Sequence, residues 1–189
     1  MESTALSEPD FDIPLGYLVC RDGLDVDALL AGFARSLRDQ GWRVGGIVQR
    51  KSPDAGGAPT MVVEDLRTGD IINIRQDLGR GSESCHLDPA GIVAASLVVQ
   101  RAIDDGCDLV IINRFGKLES TGSGLLSEFN RAASEAVPML TAVARTMVEP
   151  WTRFCGGYGT AITPDPGALQ AWWHSVTAGR DRPRSATGR

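Results

Sequence analysis

The chain has 189 residues, 42% of them hydrophobic and 23% charged, with a formal net charge of −5 and a pI near 5.0. This length suits one domain rather than two and buries a core without disulfide or metal staples. The acidic balance argues against a surface built to neutralise phosphate backbones, and no apolar run nears the roughly 20 residues of a membrane helix, so neither nucleic acid nor membrane insertion is expected.

Met1-Glu2-Ser3-Thr4 puts an acid where a secretory signal carries a basic patch followed by an apolar run, so export is not expected. Cys20, Cys85, Cys107 and Cys155 stand apart with no Cys-x-x-Cys pair. Reduced thiols in the cytoplasm are the expectation, with no metal or other cofactor called for. Cys85-His86 is the one adjacent pair of soft ligands, but neighbours in sequence seldom point at one ion or act as nucleophile and base.

Residues 1–14 carry Glu2, Glu8, Asp10 and Asp12 without a base, broken by Pro9 and Pro14, and are expected to be a disordered acidic leader. Gly16 to Cys20 is an apolar run of strand length. Asp25 then precedes Val26, Leu29, Leu30, Phe33 and Leu37 at helical spacing, with Asp25 as N-cap and Gly41 as stop. Val44 to Gln49 predicts a second strand. Thr60 to Asp65 and Asp70 to Arg75, joined around Arg67-Thr68-Gly69, predict a hairpin. After a glycine-rich link, Asp88-Pro89 sets an N-cap acid before a first-turn proline and predicts a helix to about Asp105. Leu109 to Asn113 is apolar on both faces, as befits the middle of a helix-covered parallel sheet. Leu125 to Ala136 predicts a helix, Met139 to Val143 a buried strand, and Pro166 to Thr177 a last helix. That helix carries Trp172 and Trp173 as core residues, with His174 packed beside them. Residues 178–189, with Arg180, Arg182, Arg184 and Arg189 against Asp181, are expected to be a flexible basic tail. The sum is a single α/β domain over residues 15–177, a three-layer sandwich with a mainly parallel sheet.

Such sheets bind ligands beyond the carboxyl ends of their central strands. Three segments are expected to meet there: Arg21-Asp22-Gly23, Asn113 to Glu119, and Gly79 to His86. The first fails the phosphate-loop pattern G-x-x-x-x-G-K-[ST], because Gly16 and Gly23 are wrongly spaced and Leu24-Asp25 replaces the lysine and hydroxyl residue. Asp22, Asp25 and Asp27 further load that helix start with negative charge. At the end of the central strand, where a phosphate-loop enzyme places a magnesium-binding acid, stand Asn113-Arg114. The phosphate loop is degenerate in both halves.

Phe115-Gly116-Lys117-Leu118-Glu119-Ser120 resembles the segment after the central strand in THEP-type nucleoside-triphosphatases, and Pro138 to Val143 resembles the strand that follows there. The chain is more similar to the bacterial family catalogued as domain of unknown function 2478. The similarity runs through Gln76-Asp77-Leu78-Gly79-x-Gly81-Ser82-x-x-Cys85-x-Leu87-Asp88 and through Ile112-Asn113-Arg114-Phe115-Gly116-Lys117-x-Glu119. The resemblance covers about residues 15–175 and implies a phosphate-loop NTPase-like fold. Some members of that family are labelled molybdenum-transport ATP-binding proteins.

The resulting expectation is a non-catalytic protein whose former nucleotide crevice binds a small anionic ligand (a nucleotide, phosphate or molybdate-like oxyanion) or a protein partner. Arg114 and Lys117 supply charge, Asn113 orients, and Ser82, Ser84 and the loop backbone complete the cradle. Arg21, Gly23 and Glu119 complete the candidate ligand-binding set. The rival is a metal-dependent nucleoside-triphosphatase using Glu119 or an aspartate near Gly23.

Overall fold

The structure, a computed structural model, describes residues 14–53, 59–75 and 87–179. The acidic leader up to residue 13, the basic tail from 180, and the segment 76–86 with Ser82, Ser84, Cys85 and His86 lie outside the described residues. The described chain forms β1 (Leu15–Val19), α1 (Val26–Asp39), β2 (Val44–Pro53), β3 (Pro59–Asp65), β4 (Ile71–Asn73), α2 (Pro89–Asp104), β5 (Leu109–Ile112) and the single-turn α3 (Lys117–Ser120). Then come α4 (Leu126–Ser134), β6 (Met139–Val143), a 3₁₀ turn (Arg145–Met147), α5 (Val148–Phe154), β7 (Thr160–Ile162) and α6 (Pro166–Val176).

Seven strands make one sheet in the order β4-β3-β2-β5-β6-β1-β7. β2, β5, β6, β1 and β7 run parallel, while β3 and β4 are antiparallel additions on one edge. β5 is the middle strand with all four residues buried, as its two-sided apolar sequence predicts. On one face, Leu30, Phe33 and Leu37 of α1 and Trp172 and Trp173 of α6 cover Leu18, Leu109, Ile111 and Leu140. On the other, Val99 and Ile103 of α2, Phe129 of α4 and Trp151 of α5 cover Ile47, Val110, Ile112 and Val143. Each large side chain so buried is worth about 1.5–3 kcal/mol, so the two apolar layers outweigh any single polar contact in holding the sheet.

The helix ends obey the sequence signals. Asp25, Asp88 and Asp165 each cap a helix by accepting from Ala28, Ala90 and Ala168 N–H. Gly41, at φ 92°, ends α1 while Trp42 N–H donates back to Leu37 O. Gly46, paired with Ile111, is required by close approach: a Cβ there would sit 2.1 Å from the Ile111 carbonyl oxygen.

Three features depart from the sequence expectations. α5 and β7 were not expected, because Val148–Phe154 carries an internal proline and Thr160–Ile162 is too short to show a period. β2 runs past Gln49 to Pro53, pairing with β3 from Ile47↔Asp65 to Pro53↔Pro59. Arg50 and Lys51 end the apolar run but not the strand, since an arm with solvated faces carries charge without cost. His174, expected to pack with the tryptophans, lies exposed on α6.

Candidate functional site

β1 delivers Cys20 and Arg21 to the carboxyl edge of the sheet, and α1 starts five residues later, after Gly23 at φ 79°. Beside this turn lies a crevice of about 920 Å³. One side is the turn residue Leu24 and α1, presenting Ala28, Ala31 and Arg35 at helical spacing; the far side is the outer arm of β2 with Gln49, Arg50 and Lys51; Arg114 closes the base.

The start of α1 is already occupied by its own acids. Asp25 Oδ1 accepts from Ala28 N–H at 2.9 Å, taking an amide that a phosphate would otherwise engage. Asp27, in the first turn, accepts from Asn113 Nδ2 at 2.7 Å and from Arg114 Nη2 at 2.9 and 3.0 Å. This knot ties α1 to the end of β5 across 86 residues of sequence. Asn113 is buried at 2% exposure. Its Oδ1, like Arg114 Nε, has no partner among the described residues. Cys20 stands next to the knot, and burial pushes its thiol pKa up, against the pull of Arg114 and with the push of Asp27.

Arg21, Gly23 and Arg114 of the expected set line the crevice, and Asn113 lies beneath it. Lys117 and Glu119 do not line it. Lys117 is exposed at the start of α3. Glu119 is 9% exposed and bridges main-chain amides, Oε2 accepting from Gly116 N–H at 2.9 Å and Oε1 from Leu125 N–H at 3.0 Å. It braces the loop between β5 and α4, so the expectation of Glu119 as a crevice residue is corrected: both its oxygens are engaged elsewhere. Arg114, expected to supply charge to a ligand, lines the crevice but is paired with Asp27. Sequence reasoning missed Arg35, Gln49, Arg50 and Lys51. Arg35 carried a signal, falling on the helical stripe through Ala28 and Ala31; the others needed the length of β2.

A magnesium ion of the kind phosphate-loop enzymes use does not fit the residues present. The end of β5 offers a neutral amide and a guanidinium, Asp27 already holds both, and among the described residues no group of three His, Cys, Asp or Glu side chains is gathered to hold a metal.

A five-stranded parallel core, with β6 between β1 and β5 and a helix following β1, defines an α/β fold of the phosphate-loop NTPase type. The solution structure of a human cancer-related nucleoside triphosphatase shares it, with a TM-score of 0.64 over 88% of this chain and 99% of that one at 16% identity. The chain belongs to the family described as Protein of unknown function (DUF2478), whose profile matches residues 15–172. It is also 42% identical over 161 residues, 85% of its length, to the molybdenum import ATP-binding protein ModC 2 of Bradyrhizobium diazoefficiens. The match spans only 18% of that protein's length.

Proposed function

We propose that the chain is a non-hydrolysing member of the phosphate-loop NTPase fold whose crevice binds an anionic ligand, a small phosphorylated molecule or oxyanion or an acidic group of a protein partner. One observation carries this. In a chain of net charge −5, the crevice is lined by Arg21, Arg35, Arg50, Lys51 and Arg114 against Asp25 and Asp27; Arg114 pairs with Asp27 and Arg50 with Glu64, which leaves Arg21, Arg35 and Lys51 as cations without an ion-pair partner among the described residues. Nucleotide-binding relatives are consistent with a ligand at this edge. A molybdenum-related oxyanion is one candidate, by analogy with the molybdenum import ATP-binding protein that the chain resembles in part. Hydrolysis is disfavoured because neither the lysine and hydroxyl pair nor the metal-binding acid has a counterpart.

The test is a melting-temperature scan of the whole chain with ATP, GTP, phosphate, sulfate and molybdate, with and without magnesium. A ligand at 100 times its Kd adds about 2.7 kcal/mol. The expected result is a rise that does not need magnesium and that Arg21→Ala with Arg35→Ala removes. Magnesium-dependent phosphate release from a nucleotide overturns the non-hydrolysing assignment, and no rise with any anion overturns the reading of the crevice as a small-anion site.

A further inference from the structure

β2 has two neighbours along its first half and one along its second. Its pairing with β5 runs only from Val44↔Leu109 to Ile47↔Ile112, while its pairing with β3 continues to Pro53↔Pro59. Main-chain groups of successive strand residues point to opposite sides. Gly46 O accepts from Leu66 N–H on the β3 side, and Ile47 O accepts from Asn113 N–H on the β5 side. The N–H and C=O groups of Gln49 and Lys51 therefore point to the β5 side, where no described strand continues. After Asn113 the chain turns the other way, Phe115 N–H donating to Ala142 O at 3.1 Å, and leaves a slot beyond the end of β5 that opens into the crevice.

Gln49 lines the slot at 8% exposure, and its side-chain amide has no partner among the described residues. Val48 belongs to the core under α1, so Arg50, two residues on, faces the α1 side where Arg35 stands. Gln49 and Lys51 face the other side, opposite Val63 and Met61, both part of the core under α2. Arg21, Arg35 and Lys51 have no ion-pair partner among the described residues.

We propose that this open edge of β2 is a docking slot for an extended acidic segment of a partner protein, added as a strand beside Gln49–Ser52 with acids at alternate positions toward the α1 side, where Arg35 stands. An unpaired strand edge is a template for an added strand, and main-chain bonds supply affinity while alternate side chains supply selectivity. A bare oxyanion satisfies the cations but brings no N–H for the open carbonyls of Gln49 and Lys51; an extended peptide brings both N–H and C=O. Three or four residues at about 3.3 Å each match the overhang. The charge is complementary: Arg35 stands unpaired on the α1 side that the acids face, Lys51 adds an unpaired cation on the opposite face, and Arg50 is held by Glu64 of β3. This inference rests on the crevice being the binding site and specifies the form of ligand it takes.

The test measures anisotropy of a fluorescein-labelled peptide of three Glu-Val repeats with the whole chain, beside two forms methylated on the peptide nitrogens of either the glutamates or the valines. An added strand uses only every second amide. One methylated form should bind at least about tenfold more weakly and the other nearly unchanged, and Arg35→Glu with Lys51→Glu, both exposed, should also cost at least about tenfold. Equal binding of all three peptides means charge attraction alone and overturns the proposal, as does no binding. Binding seen only after Glu2→Gln, Glu8→Gln, Asp10→Asn and Asp12→Asn assigns the slot to the chain's own acidic leader and overturns a partner. If the peptide fails while the anion scan still shows a cation-dependent rise, the crevice stands as a small-anion site; if both fail, the two readings fall together.

Discussion

Asp27 occupies a position where two demands oppose each other. Its carboxylate holds Asn113 and Arg114 and so ties α1 to β5, while its charge cancels the one guanidinium at the base of the crevice. Removing it leaves a half-buried cation and a buried amide without their acceptor. Asp27→Ala should therefore cost about 1–2 kcal/mol in urea unfolding, the ion pair being partly screened by solvent. The same substitution frees Arg114, so anion affinity should rise while stability falls. If Asp27→Ala weakens both, the pair is needed to shape the crevice and does not compete with its ligand. Glu119 makes the contrasting case. Its sequence context, Gly-Lys-x-Glu after the central strand, suggested a crevice role, yet its oxygens serve Gly116 and Leu125 amides. A buried carboxylate answers the nearest unpaired N–H groups, and the loop that supplies them is not visible in a linear spacing.

Elements were legible in proportion to how much of their stability came from a local pattern. α1, α2 and α6 announce themselves through Asp caps and apolar spacing, and β5 and β6 through uninterrupted apolar runs. α5 and β7 are stabilised instead by distant partners: Trp151 packs with Phe115 and Phe129, and β7 pairs with β1. The contact between α2 and α4 shows how a polar group settles between elements. Glu128, 1% exposed, accepts from Ser96, Gln100 and Ser127. Desolvation is the largest influence and acts to raise its pKa, but these hydrogen bonds together outweigh it and hold the carboxyl below its ordinary value. A depressed folded-state pKa gives stability that is present above the unfolded value and is lost as pH falls through the folded one. As pH falls through and below the ordinary glutamate value of about 4.3, the wild-type chain should lose urea resistance more steeply than Glu128→Gln, which has no proton to gain. Parallel pH profiles for the two would mean that the clamp adds nothing on acidification.

At the scale of the molecule, a mainly parallel sheet between two helix layers and an anion-binding crevice were expected from the sequence, whereas the strand order and most of the cations that line the crevice were not. Whole-chain charge is negative, and the acids nearest the expected phosphate position, Asp22, Asp25 and Asp27, pointed to repulsion. Folding alters that balance by spending Asp25 on a helix cap and Asp27 on Arg114 while bringing Arg35 and Lys51 to the same edge from separate elements. A positive crevice on a negative molecule has a measurable consequence. Ligand attraction comes from exposed cations at the site, whose reach is set by the Debye length of about 10 Å at 0.1 M salt. Raising salt from about 0.02 to about 0.5 M should therefore weaken anion binding steadily, as screening reaches the local cations. If affinity instead rises with salt, the net negative field of the whole chain governs approach to the crevice, and its cations do not set the ligand's sign.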